Sequence, residues 1–243
     1  MELKDQVALI TGGTAGIGLE AARLFVREGA AVVISGRSAE RGAKAVAEIG
    51  EGPGTVRFVQ ADLGDLESVA NLAEQAGPVD ILVNNAAAFP VAPTVEQEIE
   101  SFQRMFDTNV RGTFFLTAAL APAMLAKGAG SIVNVTTMAA HMGVPGASGY
   151  SATKAALTSF ARTWAAEFSP SGVRVNSVAP GPTVTEGVLA EWGDGVEELG
   201  KNLPLRRTAK PVEIAESILF LASPRSSFIT GSTLAVDGGA TAI

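Results

Sequence analysis

The chain has 243 residues, with 27 glycines, 12 prolines, no cysteine, one histidine, and 18 basic against 25 acidic side chains for a net charge of −7. At 47% hydrophobic and 18% charged, it reads as a folded chain long enough for one substantial core, not as a disordered, collagen-like or low-complexity sequence. The absence of cysteine excludes disulfides, thiolate nucleophiles, Cys-ligated zinc and iron–sulfur clusters, and the acidic balance argues against nucleic acid or an anionic membrane as partner.

The chain opens on the charged stretch Met1-Glu2-Leu3-Lys4-Asp5-Gln6, which lacks the apolar core of a secretory leader. No stretch approaches the roughly 20 uninterrupted apolar residues of a membrane helix. A cytoplasmic location is expected. Val7–Thr11 is an apolar run of strand length closed by glycines, and Leu19–Arg27 follows with helical spacing and Gly29 to end it. Ala31–Ser35, Val56–Gln60, Val79–Asn84, Ser131–Thr137, Val173–Val178 and Ser232–Val236 read as further strands. Ala39–Ile49, Leu66–Ala76, Ser151–Glu167 and Pro211–Ala222 read as helices. Val95 to Ala126 reads as one long helix with Phe102, Met105, Phe106 and Val110 on its inner face, and Gly187–Leu199 as a loosely helical flap.

Strands that are continuous apolar runs, alternating with helices, predict an α/β fold: a Rossmann-type doubly wound sheet of about seven parallel strands with helices on both faces. No linker, charge block or repeat interrupts the pattern, so residues 1–243 are expected to form a single domain, with 186–201 a substrate flap within it. An eight-fold barrel is the rival, but it gives no reason for a glycine cluster after the first strand.

That cluster is Thr11-Gly12-Gly13-Thr14-Ala15-Gly16-Ile17-Gly18. Gly12, Gly16 and Gly18 let the backbone turn tightly and approach a pyrophosphate at the helix N-terminus, where free N–H groups point outward. The spacing is Gly-x-x-x-Gly-x-Gly, not the commoner Gly-x-Gly-x-x-Gly. After the second strand, an NAD site usually places a carboxylate for the ribose 2′-OH. Here no Asp or Glu lies between Glu28 and Glu40, and Arg37 stands in that place with Ser35 and Ser38. A guanidinium suits a 2′-phosphate, so NADP(H) is favoured over NAD(H).

Tyr150 and Lys154 are one helical turn apart, and Tyr150 is the chain's only tyrosine. A free phenol, with a pKa of about 10, is a poor base near neutrality, and a neighbouring ammonium is expected to lower that value. The preceding strand ends in two hydroxyls, Thr136 and Thr137. The lone histidine, His141, reads as an ordinary loop residue, because no Gly-x-Ser-x-Gly elbow offers it a nucleophile. No metal site is expected.

With these residues in place the sequence resembles the short-chain dehydrogenase/reductase family, in its compact single-domain branch. The likeness runs from Thr11 to Gly239. It rests on Thr11-Gly12-x-x-x-Gly16-x-Gly18, Asp62, Asn84-Asn85-Ala86-Ala87, Asn109, Tyr150-x-x-x-Lys154, Pro180-Gly181 and Val236-Asp237-Gly238-Gly239. The resemblance implies that Tyr150 exchanges a proton with the substrate oxygen. It implies too that Lys154 lowers the Tyr150 pKa and bonds the nicotinamide ribose, and that Asn109 helps hold a water relayed from that lysine. Asp62 would bond the adenine, and Asn85 and Ala86 would line the adenosine ribose. Pro180, Gly181, Thr183 and Thr185 would hold the nicotinamide and its phosphate. Thr14, Ile17 and Leu63 join Gly12, Gly16, Gly18, Arg37 and Ser38 as expected cofactor-binding positions.

The family usually has serine thirteen positions before the tyrosine, where this chain has Thr137. Threonine keeps the hydroxyl and adds a methyl that restricts χ1, so a narrower or weaker site is expected. Ala87 replaces the usual glycine of Asn-Asn-Ala-Gly. The flap carries Glu191, Asp194, Glu197 and Glu198 around Leu189 and Trp192, which disfavours polyanionic substrates such as carrier-protein thioesters. Ala155, Ala156, Ala161, Ala165 and Ala166 offer a small-residue helix face. In the family this helix and the Asn109 helix form a dimer interface, so a homo-oligomer, dimer or tetramer, is expected.

The reading that follows is an NADP(H)-dependent oxidoreductase interconverting a small-molecule carbonyl and its alcohol. The alternatives are a catalytically weak NADPH-binding redox regulator, for which Thr137 is the support, an NAD-dependent alcohol dehydrogenase, and an enoyl reductase. Enoyl reductases on this scaffold space their tyrosine and lysine more widely.

Overall fold

The structure is a computed structural model that describes residues 1–193 and 195–242. Asp194, one of the expected flap acids, lies outside the described residues. In chain order the elements are β1 (Val7–Thr11), α1 (Gly16–Arg27), β2 (Ala31–Gly36), α2 (Ala39–Ile49), β3 (Thr55–Gln60), α3 (Leu66–Ala76), β4 (Ile81–Asn84), α4 (Ile99–Phe106), α5 (Thr113–Lys127), β5 (Gly130–Val135), α6 (Ser148–Phe168), β6 (Val173–Pro180), α7 (Glu186–Trp192), α8 (Gly195–Lys201), α9 (Pro211–Ala222) and β7 (Thr233–Val236).

The strands form one parallel sheet in the order β3-β2-β1-β4-β5-β6-β7. Consecutive residues of a strand face opposite sides, so the apolar strands feed two cores. Ala8, Ile10, Ile81, Val83, Val133 and Val135 pack with Phe25 of α1 and Ile214 and Ile218 of α9. Leu9, Leu82 and Ile132 face the other way, onto Leu72 of α3, Leu116 and Leu120 of α5 and Trp164 of α6. This is the doubly wound arrangement expected. Both-sided burial fails at the sheet edges, where β3 and β7 leave several residues exposed because only one neighbour covers them.

From β1 the chain steps outward through β2 to β3, then returns to β4 on the other flank of β1, where Ile10 is paired with Val83. The loops after β1 and β4 diverge there, which opens a crevice at the carboxyl ends of the central strands.

The expected helix from Val95 to Ala126 is broken. A 3-10 turn at Thr94–Glu96 precedes α4, and a wider π turn over Asp107–Gly112 joins α4 to α5. A π turn inserts a residue and shifts the phase of the helix face. Met105 is fully buried, but Phe102 is 42% exposed, and Phe106 and Val110 are half-buried. The small-residue face of α6 also divides: Ala161 and Ala165 join the core, whereas Ala155 and Ala166 point outward. The segment expected as a flap contains two short helices, α7 and α8. Among the described residues no helix is long and apolar enough to cross a membrane.

Candidate active site

A cavity of about 1080 Å³ fills the crevice, running from Arg37, Ser38 and Asp62 to Tyr150 and Trp192. Its floor is the turn after β1. Thr11 ties that turn to the end of β4, its Oγ1 accepting from the N–H groups of Asn85 at 3.0 Å and Ala86 at 3.1 Å. Asn85 Nδ2 returns a bond to the Thr11 carbonyl at 2.9 Å and reaches the Gly12 carbonyl at 3.2 Å. Thr11 carries this junction, a role the sequence reading did not give it; a hydroxyl opening a glycine turn was its only signal.

Gly16 has φ +55°, and a Cβ there would press on Thr185 at 3.0 Å. A Cβ at Gly18 would stand 2.5 Å from the Gly12 carbonyl, so only glycine lets α1 begin this close to the turn. The residue before α1 is Ala15, whose side chain caps nothing, and Gly16 and Ile17 line the cavity. The first amides of the helix therefore remain available to an anion. Thr14, packed against Gly36, lines the same wall.

At one end Arg37 and Ser38 follow β2, with Asp62 and Leu63 beyond β3. The Arg37 carbonyl accepts from Gln60 Nε2 at 2.9 Å, while its guanidinium borders the cavity. Ser38 Oγ accepts from Arg41 N at 3.2 Å and so caps α2. The sequence reading missed Arg41, which also lines the cavity and pairs with Glu186 of the flap at 3.2 Å. Its signal was a second arginine one helical turn after the first. Asp62 Oδ1 accepts from Gly64 N at 2.9 Å.

Tyr150, Lys154 and Thr137 meet at the other end, with Pro180, Gly181, Thr183 and Thr185 on the adjoining wall. Tyr150 lies in the first turn of α6, and its ring is met edge-on by Phe89 at 6.3 Å between centroids. Lys154 Nζ donates to the Val135 carbonyl at 2.7 Å and stands 5.9 Å from the Tyr150 ring centroid. Burial dominates both groups: it pushes the Tyr150 phenol up to about 12 and the Lys154 ammonium down to about 7. A phenol lowered by the lysine was expected. In the protein alone, desolvation outweighs that influence, and a hydrogen bond with Thr137 is what favours the phenolate.

Both threonines after β5 line the cavity, although alternation along a strand predicts only one. The strand ends at Val135, so alternation does not extend through Thr137. Thr136 Oγ1 is engaged by the Val178 carbonyl at 2.9 Å, whereas Thr137 Oγ1 accepts from Ala139 N at 3.3 Å, leaving its own proton to donate. Asn109 is fully buried in the π turn and is not on the cavity wall. Its Oδ1 accepts from Ala88 N and its Nδ2 donates to Ala88 O, each at 2.7 Å, and Nδ2 also reaches Thr153 Oγ1 at 3.0 Å. The structure thus brings Asn109 to α6 and to the loop after β4, with Thr153 the neighbour of Lys154 in sequence. Thr183 Oγ1 donates to the Gly181 carbonyl at 3.0 Å, and Thr185 caps α7 by accepting from Val188 N at 3.1 Å. His141 is exposed and apart from the cavity. Among the described residues no group of three or more acidic or histidine side chains could hold a metal ion.

These residues fit a nicotinamide dinucleotide. Uncapped amides suit its diphosphate, a guanidinium borders one end, and a phenol and an amine converge at the other.

The chain matches a family model described as enoyl-(acyl carrier protein) reductase over residues 12–241. It is 37% identical to cyclopentanol dehydrogenase of Comamonas testosteroni, over 99% of this chain and 98% of that one. It shares 63% identity with a solved short chain dehydrogenase/reductase family protein, covering all of both chains at a TM-score of 0.95. A solved putative NAD(P)-dependent gluconate 5-dehydrogenase from Beutenbergia cavernae, with bound NADP, is 35% identical at a TM-score of 0.94, covering 100% of this chain and 99% of that one. With that coverage and this site, the chain belongs to the short-chain dehydrogenase/reductase family of nicotinamide-dependent oxidoreductases.

Proposed function

We propose that the protein is an NADP(H)-dependent oxidoreductase that interconverts a small-molecule carbonyl and its alcohol, with Tyr150 as the general acid and base. The observation that carries this reading is the convergence of Tyr150, Lys154 and Thr137 at the end of the cavity opposite Arg37. The cofactor, when bound, supplies or takes the hydride. Tyr150 does the proton work: with its pKa near 12 it is protonated at neutral pH and gives that proton to the carbonyl oxygen as the alcohol forms. Thr137 donates to the same oxygen and steadies its developing charge. Lys154, held on the Val135 carbonyl, provides donors beside Tyr150. Asn109 acts one step away, by fixing Ala88 and Thr153.

At the other end Arg37 pairs with the 2′-phosphate, supported by Arg41, and Asp62, Leu63, Asn85 and Ala86 surround the adenosine. Gly12, Thr14, Gly16, Ile17 and Gly18 hold the diphosphate, and Pro180, Gly181, Thr183 and Thr185 flank the nicotinamide. The single-turn spacing of Tyr150 and Lys154 supports carbonyl chemistry over enoyl reduction. Residues 1–243 act as one catalytic unit with 186–201 as its flap. It pairs with a second copy through α5 and α6, where Phe114 and Phe115 are exposed beside Phe160 and Trp164.

NADPH oxidation over a panel of ketones, aldehydes and diketones tests the reading. Carbonyl-dependent turnover that Tyr150→Phe abolishes is expected. Tight NADPH binding without turnover of any carbonyl contradicts it and favours a redox-sensing regulator.

A further inference from the structure

The substrate end of the cavity is walled by Phe89, Met138, Val144, Val188, Trp192 and Leu199, all half-buried. Phe89 is fixed from two sides. Its ring meets Tyr150 edge-on, and Gly187 of the flap lies so close that a Cβ there would stand 3.1 Å from Phe89 Cζ. The wall beside the Tyr150 ring is therefore an aromatic surface held against α7.

The cations on the cavity lie elsewhere. Arg37 and Arg41 flank the start of α2. Arg104 shares its α4 face with Thr108, which abuts Gly64 at 3.4 Å from where a Cβ would be, and Arg111 of the following turn donates to the Gly64 carbonyl at 2.8 Å. That face borders the Asp62 end. Lys154 is 1% exposed and bound to the Val135 carbonyl. Among the described residues, Glu191 of the flap lines this cavity as a carboxylate. Across residues 186–201 the flap has five acidic residues and one lysine, and that lysine, Lys201, is paired with Glu198 at 2.9 Å.

We infer that the substrate is an uncharged, predominantly hydrocarbon ketone, or its secondary alcohol, and not an acid or a phosphate-bearing thioester. An anionic group entering this end finds no cation among the described residues that wall it, loses water to an apolar wall and meets Glu191. An apolar ring instead replaces water on Phe89, Val144, Val188 and Trp192, and only its oxygen needs donors, which Tyr150 and Thr137 supply. This inference rests on the proposed carbonyl chemistry and adds the class of compound.

Matched pairs test it. The full chain with NADPH is assayed on cyclohexanone against 4-oxocyclohexanecarboxylate, and on one β-ketoacyl group carried by N-acetylcysteamine against coenzyme A. The neutral member of each pair is expected to have at least a tenfold higher kcat/KM. Raising the salt concentration should narrow the gap, because the penalty is in part electrostatic. Glu191→Gln, an exposed position where folding is not at stake, should shrink the penalty on the anion a few-fold. Equal or better use of the anionic members overturns this substrate class and leaves the reductase reading standing. No turnover of any member, with NADPH still bound, overturns the reading and this inference with it.

Discussion

Lys154 holds its Nζ 2.7 Å from the carbonyl oxygen of Val135, the last residue of β5, while the residue itself is 1% exposed. One neutral acceptor does not replace the water an ammonium loses on burial, so the amine titrates near 7 instead of 10.5. Between those values the unfolded chain keeps a proton that the folded one has released. Stability is therefore lowered below pH 7 and recovers as the pH rises towards 10. The contribution is at most about 5 kcal/mol. Tyr150 has the opposite sign above pH 10, where the unfolded phenol ionises and the folded one, near 12, does not. Tm measured at about pH 7 and about pH 9 should rise more for the wild type than for Lys154→Met, which removes the buried amine. Equal slopes would show that the amine is not desolvated.

On the proposed mechanism the two threonines after β5 divide into a structural and a catalytic hydroxyl. Thr136→Val strips the buried Val178 carbonyl of its side-chain donor and should cost about 1 kcal/mol of stability with little effect on kcat. Thr137→Val should lower kcat/KM by about 10- to 100-fold, the loss of one hydrogen bond to the reacting oxygen, with NADPH affinity unchanged. Thr137→Ser should keep or raise activity. Denaturant unfolding and steady-state kinetics on the three variants check the division. A crippled Thr136→Val enzyme beside a normal Thr137→Val enzyme would reverse the assignment.

Arg37→Ala should weaken NADPH at least tenfold more than NADH, because only NADPH carries the 2′-phosphate. Arg41→Ala should have the same sign and a smaller size, since Glu186 competes for that guanidinium across the groove. That pair is more than half exposed at both ends and is worth well under 1 kcal/mol. Glu186→Gln should therefore tighten NADPH slightly by freeing Arg41. Binding titrations with both cofactors decide it, and equal losses for NADH and NADPH would make both arginines ordinary surface residues.

Much of the fold was legible because the strands are short apolar runs between helical patterns, and their alternate residues do face two cores. Val110 was set on the same inner face as Met105 because a 3.6-residue period was carried into the π turn at Asp107–Gly112, where it does not hold, whereas the exposure of Phe102, which precedes that turn in α4, has no such cause. The glycine turn, Arg37, Tyr150 and Lys154 were legible as local spacings. Arg41 acquires its partner 145 positions away, and the Phe89–Gly187 contact joins the loop after β4 to the distant helix α7, so neither had a local signature. The high Tyr150 pKa depends on burial by several elements together, which pair spacing does not encode.

Removing the Tyr150 hydroxyl should leave the cofactor site intact, because none of the glycine-turn or arginine contacts involves it. Tyr150→Phe should bind NADPH within about twofold of wild type while losing about 100- to 10,000-fold in turnover, the range for a removed general acid. Tryptophan fluorescence quenching and steady-state rates on one preparation separate the two effects.

The most direct test of the proposed chemistry follows the hydrogen itself. NADPH deuterated on its transferable hydrogen, prepared as each of its two epimers, is given to the protein with a ketone that it turns over. Deuterium should appear on the carbinol carbon of the product from one epimer only, and Tyr150→Phe, with cofactor bound, should form almost no product. Product free of deuterium from both epimers, or a Tyr150→Phe enzyme as fast as wild type, would contradict hydride transfer with Tyr150 as its acid.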